Sequence, residues 1–256
     1  MKRPFLIGIG GAHSRVGKTT LAVTILKYLS NTASHSHCQK WNKWGAIKYT
    51  KTAFYASIID DHTILRQENK DTRRLIDAGA EEVLWVQSPV NELYEVLPIA
   101  VNRLSHLDGI IIEGNSAIEF LKPDIVVFIA DVSKKKLKPS AHKIQKQADI
   151  IISNKFLVTS NKLKDDNLKL KTQNPNHDSS LVTHYSLLIK ELINCIEMTA
   201  KKKEIENILK ERSEKGSITC RDARNIAEKL KVPYKEVGRT ANELKIKIKD
   251  CELGCF

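Results

Sequence analysis

A chain of 256 residues, 41% hydrophobic and 28% charged, has the composition of an ordinary globular protein with one sizeable core and a small appendage. No apolar run reaches the roughly 18 residues of a membrane span, and Met1-Lys2-Arg3-Pro4-Phe5 leads at once into an apolar strand, so the expected compartment is the cytoplasm. The 42 Lys and Arg against 30 Asp and Glu give +12, which suits anionic ligands or, equally, a lysine-rich solvated surface, and five cysteines argue against a paired disulfide framework.

Phe5-Leu6-Ile7-Gly8-Ile9 is an apolar run, and Leu21, Ile25, Leu26 and Leu29 recur at helical spacing. Between them lies Gly11-Ala12-His13-Ser14-Arg15-Val16-Gly17-Lys18-Thr19-Thr20, which in this context reads as strand, phosphate loop and helix. The Gly-Lys-Thr ending sets backbone N–H groups and an ammonium around a polyphosphate at the positive end of a helix. It also places the Thr19 hydroxyl where Mg²⁺ would bridge the terminal phosphates. Gly11 to Thr20 are therefore the nucleotide-binding candidates, with Lys18 also a catalytic one. Ala12 stands where strict spacing asks for glycine, which is tolerable if the turn there needs no positive φ.

After a polar connection containing His35, His37 and Cys38, the spacing predicts a strand over Trp44 to Tyr49. Lys48 near its end would point to the carboxyl edge of a parallel sheet, where ligands bind; it would meet a phosphate or a second anionic substrate, or else solvent. A short helix over Thr72 to Gly79, a strand over Glu82 to Val86 and a helix over Asn91 to Leu104 follow. Further strands are expected at Gly109 to Ile112, Ile125 to Ala130 and Ile150 to Ser153. Ile/Val runs alternating with helices predict a doubly wound, mostly parallel α/β sheet of the phosphate-loop NTPase type. Glu113 closes a buried strand, so its carboxylate would serve Mg²⁺ or polarise an attacking group; a surface turn is the alternative. Asn154-Lys155 follows the last clear strand, where a base-reading loop or a plain turn belongs. Leu157 stands where an N-K-x-D loop has its guanine-reading aspartate, so the ligand is GTP or ATP.

Asn154 to Thr183 is polar and lysine-rich, with a turn at Asn174-Pro175-Asn176 and one further strand expected near Leu168 to Lys171. Tyr185 to Met198 is apolar at helical spacing. The Lys201-Lys202-Lys203 run marks a change of character, predicting a nucleotide-binding domain over 1–200 and a small all-helical domain over 201–256. There Thr219 is the expected N-cap of a helix reaching Leu230, Pro233 a break, and Tyr234 to Leu244 a second helix. Two short helices joined by a tight turn resemble a helix-turn-helix, in which Arg239, Asn242 and Lys245 would contact DNA; an interaction domain with solvated lysines is the alternative. Cys220, Cys251 and Cys255 are candidate metal ligands, with core thiols as the alternative.

IGIGGAHSRVGKTTL, the lysine of WGAIKYTKT, KDTRRLIDAGAEEVLWV at Lys70 to Val86 and LDGIIIEGN at Leu107 to Asn115 together resemble the MobB proteins, molybdopterin-guanine dinucleotide biosynthesis protein B. The resemblance spans residues 5 to about 155, and parts of it are shared with dethiobiotin synthetase and cobyrinate amidotransferase-type synthetases. It implies GTP and Mg²⁺ binding, weak hydrolysis, a homodimer, and assistance to a partner that attaches a nucleotide to molybdopterin. By the same resemblance Lys18 and Thr19 would bind phosphate and metal, Glu113 would serve the metal, and Lys48, Lys70, Asp71 and Thr72 would line an adjoining second-substrate site. Two departures stand out: Tyr49-Thr50-Lys51-Thr52 replaces a histidine-bearing segment, and Arg15 sits where a small residue is commoner.

Overall fold

The computed structural model describes residues 3–32, 43–131, 137–153, 157–159 and 178–250. They form two compact units, 1–192 and 193–256.

In the first unit β1 (Phe5–Gly11), β2 (Trp44–Lys51), β3 (Ser57–Ile59), β4 (Val83–Ser88), β5 (Gly109–Glu113), β6 (Ile125–Ala130), β7 (Ile150–Ser153) and β8 (Leu157–Thr159) make one sheet. Its order is β3-β4-β2-β5-β1-β6-β7-β8. The six inner strands pair in parallel, and only the short edge strands β3 and β8 run antiparallel. Every residue of β1 is buried, as expected of a central strand covered on both faces.

The helices of this unit are α1 (Lys18–Thr32), α2 (His62–Leu65), α3 (Asp71–Asp77), α4 (Leu93–Arg103), α5 (Asn115–Leu121) and α6 (Pro139–Gln147). Leu6, Ile47, Ile110 and Phe128 share one buried cluster with Leu97 of α4, Ile118 of α5 and Ile144 of α6. Strand side chains alternate between faces, so Ile7, Ile9, Ala46 and Ile111 point the other way, toward α1 and α3. Helix α3 stops by a rule the sequence carries: Gly79, at φ 96°, donates to the Ile76 carbonyl, and Ala80 to that of Leu75. That paired bonding is a Schellman stop, and glycine supplies the left-handed residue it needs.

The second unit starts within α7 (Asp178–Arg212) and continues through β9 (Ser217–Thr219), α8 (Cys220–Leu230), α9 (Tyr234–Glu243) and β10 (Lys247–Lys249). Thr219 caps α8 as expected, its hydroxyl oxygen accepting from the Asp222 N–H at 3.1 Å. Ile205, Leu209, Ile218, Ile226, Val237 and Ile246 build a core of their own.

The Lys201 to Lys203 run lies inside α7, which continues through it because lysine is a good helix former, and the two units divide slightly earlier, between 192 and 193. Two expectations need correction. The small unit is not all-helical: β9 and β10 pair in parallel, Ile218 against Ile248. Three residues alternating Lys-Ile-Lys leave the outer side chains exposed and the middle one half-buried, too little pattern to announce a strand. The helix expected from Asn91 begins instead as a 3₁₀ turn over Val90–Glu92. The expected strand near Leu168 lies outside the described residues.

Gly109 is paired in register with Trp44, and a Cβ there would sit 2.3 Å from the indole of a tryptophan only 1% exposed. Gly109→Ala is accordingly expected to destabilise the first unit by about 1–3 kcal/mol through overpacking. In urea unfolding, Trp44→Leu in the same chain should recover part of that loss.

Candidate functional site

β1 delivers Gly11 to the loop, and α1 begins at Lys18. The turn needs left-handed backbone at Arg15, φ 64°, and at Gly17, φ 104°, but not at Ala12. That is why alanine serves where strict spacing has glycine: its N–H donates to the Ile129 carbonyl at 2.9 Å and its methyl is buried. Gly11 has no such latitude, since a Cβ there would lie 2.5 Å from Val16 Cγ1. Left-handed residues this close together curl the backbone in the manner of anion-binding loops, and here the curl opens onto the N-terminus of α1.

The loop is fastened at both shoulders. Gly11 N donates to Asn115 Oδ1 and Asn115 Nδ2 donates back to the Gly11 carbonyl, each at 3.0 Å. On the other shoulder His13 places Nε2 2.7 Å from Asp131 Oδ2 and Nδ1 2.5 Å from the Ser14 carbonyl. Lys18 folds across the loop, its Nζ donating to the His13 carbonyl at 2.8 Å. Burial, the main influence, pushes the Lys18 ammonium below the ordinary lysine value; Glu113 and Asp71 oppose that and Lys48 adds to it. Ser14, Arg15 and Thr20 are exposed, while Val16 is buried beneath the loop.

Beside the loop the sheet register sets the chemistry. Trp85, Lys48, Glu113, Ile9 and Val127 are consecutive partners across β4, β2, β5, β1 and β6. Lys48 and Glu113 are thus neighbours on one face, in a row that is otherwise apolar toward the centre. Lys48 Nζ donates to Glu113 Oε1, to Asp71 Oδ2 at 2.8 Å and to Thr19 Oγ1 at 3.4 Å, and the Thr19 hydroxyl donates to Glu113 Oε2 at 2.8 Å. The Glu113 side chain is 4% exposed and that of Lys48 16%, so the pair is buried and each charge depends on the other.

Asp71 opens α3, where a carboxylate suits the helix dipole. Burial raises its carboxyl, but Lys48, the Thr19 hydroxyl and Arg74 together outweigh that and hold it below the usual carboxylate range. Arg74, one turn on, reaches Thr20 Oγ1 at 3.0 Å.

The structure thus brings Lys18, Thr19, Lys48, Asp71 and Glu113 together. Lys70 turns aside to place its ammonium 4.6 Å over the Trp85 ring. Thr72 does not line the site: it is 3% exposed and donates to the Leu65 carbonyl, because the third residue of this segment falls on the packed side of α3. Asn154, Lys155, Cys251 and Cys255 lie outside the described residues. Cys220 is half-buried, and among the described residues no group of three His, Cys, Asp or Glu side chains is placed to hold a metal.

Asn115, Asp131 and Arg74 also hydrogen-bond to the loop and the first turn of α1. Asp131 carried a signal, since it follows the carboxyl end of a buried strand, and Arg74 sits one helical turn from Lys70. Nothing in the sequence pointed to the clasp made by Asn115.

No protein-family model matches the chain, and no curated protein does. Among solved structures the chain is similar to the "apo" form of LpxK from Aquifex aeolicus in complex with ATP, at 15% identity and a TM-score of 0.35. The likeness covers 68% of this chain and 53% of that one, so the chain spans about half the length of LpxK.

Lys48→Ala should destabilise the first unit by about 3–5 kcal/mol, because it leaves the Glu113 carboxylate buried without its cation. Calorimetric unfolding of the Lys48→Met, Glu113→Gln double variant should show much of that loss restored. Asp71 has its folded value depressed, so its contribution is present above the unfolded carboxylate value and fades as pH falls through the folded one. With 43% of the side chain exposed, that contribution is expected to stay below about 1 kcal/mol. The stability gap between wild type and Asp71→Asn should accordingly close in acid.

Proposed function

We propose that this chain binds a nucleoside triphosphate with Mg²⁺ and turns it over slowly. The observation that carries the reading is the convergence of Lys18 at the mouth of a curled loop with Thr19 and Glu113 joined at 2.8 Å at its floor. Among these groups an ammonium, that of Lys48, already lies within hydrogen-bonding reach of Thr19, Glu113 and Asp71 oxygens. A cluster of hard oxygens that settles around a positive charge fits a small divalent cation, which would take Thr19 and Glu113 as its protein ligands. When bound, Mg²⁺ would supply charge neutralisation at the terminal phosphates.

The chain's own residues supply the rest. Lys18 exchanges one carbonyl for phosphate oxygens, and the burial that depresses its ammonium makes an anionic partner favourable there. Gly11 to Thr19 hold the phosphates through backbone N–H groups, and the clasps at Asn115 and Asp131 keep that backbone in place without reorganisation. Lys48 is set between the loop and Asp71, where its ammonium holds the Glu113 and Asp71 carboxylates and adds positive charge beside a transferred phosphoryl group.

The finer reading, an accessory role in molybdopterin guanine dinucleotide assembly with a molybdopterin-linked partner and a homodimeric state, draws its support from the MobB-like segments alone. The base, GTP or ATP, rests on Asn154-Lys155. A ligase reading in which Lys48 grips a carboxylated substrate draws less support, since two of the chain's own carboxylates already hold that ammonium.

Lys18→Ala should reduce triphosphate affinity at least about a hundredfold with an unchanged circular dichroism spectrum, since the side chain supplies charge and not packing. Equal affinity in titration calorimetry would remove the phosphate-site assignment. Glu113→Gln should retain nucleotide binding while flattening its dependence on added Mg²⁺.

A further inference from the structure

The second unit carries a feature its own packing does not explain. Gly238 lies in the middle of α9, its φ is not left-handed, and a Cβ built on it would meet nothing within 4 Å. Each of the other described glycines has either a positive φ or a close neighbour where the Cβ would go. Glycine inside a helix costs stability relative to alanine, so at this position the fold loses something and gains nothing internally. An absent side chain on a helix surface has value when something from outside must approach the backbone closely.

The surroundings of Gly238 say what that something is. The buried side of α9 is made by Val237, Thr240 and Ala241. At 3.6 residues per turn the opposite side presents Lys235, Arg239 and Asn242, with Gly238 at its rim. Lys235 and Asn242 are exposed, and Arg239, with 38% of its side chain exposed, is held 3.7 Å from Glu236. The only carboxylates between Tyr234 and Lys249 are Glu236 and Glu243, and the second pairs with Lys202 at 2.7 Å. Lys245, Lys247 and Lys249 are exposed as well, the last two flanking the half-buried Ile248 on β10. A cationic helix face that includes an amide side chain matches the phosphates and base edges of a nucleic acid.

The connection to the preceding helix fits the same partner. Helix α8 ends at Leu230, Lys231 takes the left-handed conformation at φ 50°, and α9 restarts after Pro233, so three residues separate the helices. Helix α9, about 15 Å long at 1.5 Å per residue, is the right size to lie in the roughly 12 Å wide major groove of B-DNA. We infer that α8 and α9 form a helix-turn-helix that seats α9 in the major groove of duplex DNA. In that seat Lys235 and Arg239 meet phosphates or guanine edges, Asn242 meets a base edge, and Gly238 lets the helix backbone come close to the duplex.

The test uses the full chain and a fluorescent random-sequence duplex of about 30 base pairs, read by anisotropy across a salt series. Wild type should bind at low salt, with log affinity falling linearly as log salt rises. Arg239→Glu should weaken binding at least about tenfold. Gly238→Ala is the discriminating variant: it should raise the unfolding midpoint of the second unit by a few degrees and yet weaken DNA binding several-fold. No binding at low salt would overturn the inference. So would wild-type affinity in both variants, which would place any DNA contact elsewhere on this basic chain.

Discussion

The ion pair between Lys48 and Glu113 is the constraint on which the rest of the first unit turns. Parallel pairing of β2 with β5 sets these residues side by side in a sheet whose neighbouring row positions are apolar. Charges this well buried are costly unless each is satisfied, and the fold meets the requirement by bringing the first turns of two helices to the same point. Thr19 arrives from α1 and Asp71 from α3, and both hydrogen-bond into the pair. The same arrangement sits directly against the loop between β1 and α1, because α1 begins where that loop ends. Charge burial and helix placement are therefore one problem with one solution.

The loop is held from below and from the side by elements distant in sequence. Asn115 clasps Gly11 from the start of α5, and Asp131 takes the His13 ring from the end of β6. A backbone held by such contacts presents its N–H groups in a fixed geometry, the condition for stabilising developing charge without reorganisation. Arg15 in a left-handed conformation is a strained residue of the loop, tolerated at a position that the fold leaves exposed.

Much of this was legible in the chain. Continuous Ile and Val runs announced the buried parallel strands, and Gly17-Lys18-Thr19 between an apolar run and a helical pattern announced the loop. Glu113 was readable as the acid that closes a buried strand, the place it takes at the end of β5. The short edge strands β3 and β8 and the β9–β10 ribbon were not readable, since three residues carry no periodicity that separates them from a turn. Thr72 misled because a motif gives residue identity and not the face of the helix it occupies. Asn115 stayed hidden because its partner is the backbone of a residue 104 positions away, a contact that no local pattern encodes.

The most direct measurement is a crystal structure of the protein grown with Mg²⁺ and a non-hydrolysable triphosphate. The account predicts the β- and γ-phosphates within the Gly11 to Thr19 curl, Lys18 Nζ moved from the His13 carbonyl onto phosphate oxygen, and the cation between Thr19 and Glu113. Phosphates bound away from the loop, or Lys18 still on the His13 carbonyl beside an ordered nucleotide, would contradict it.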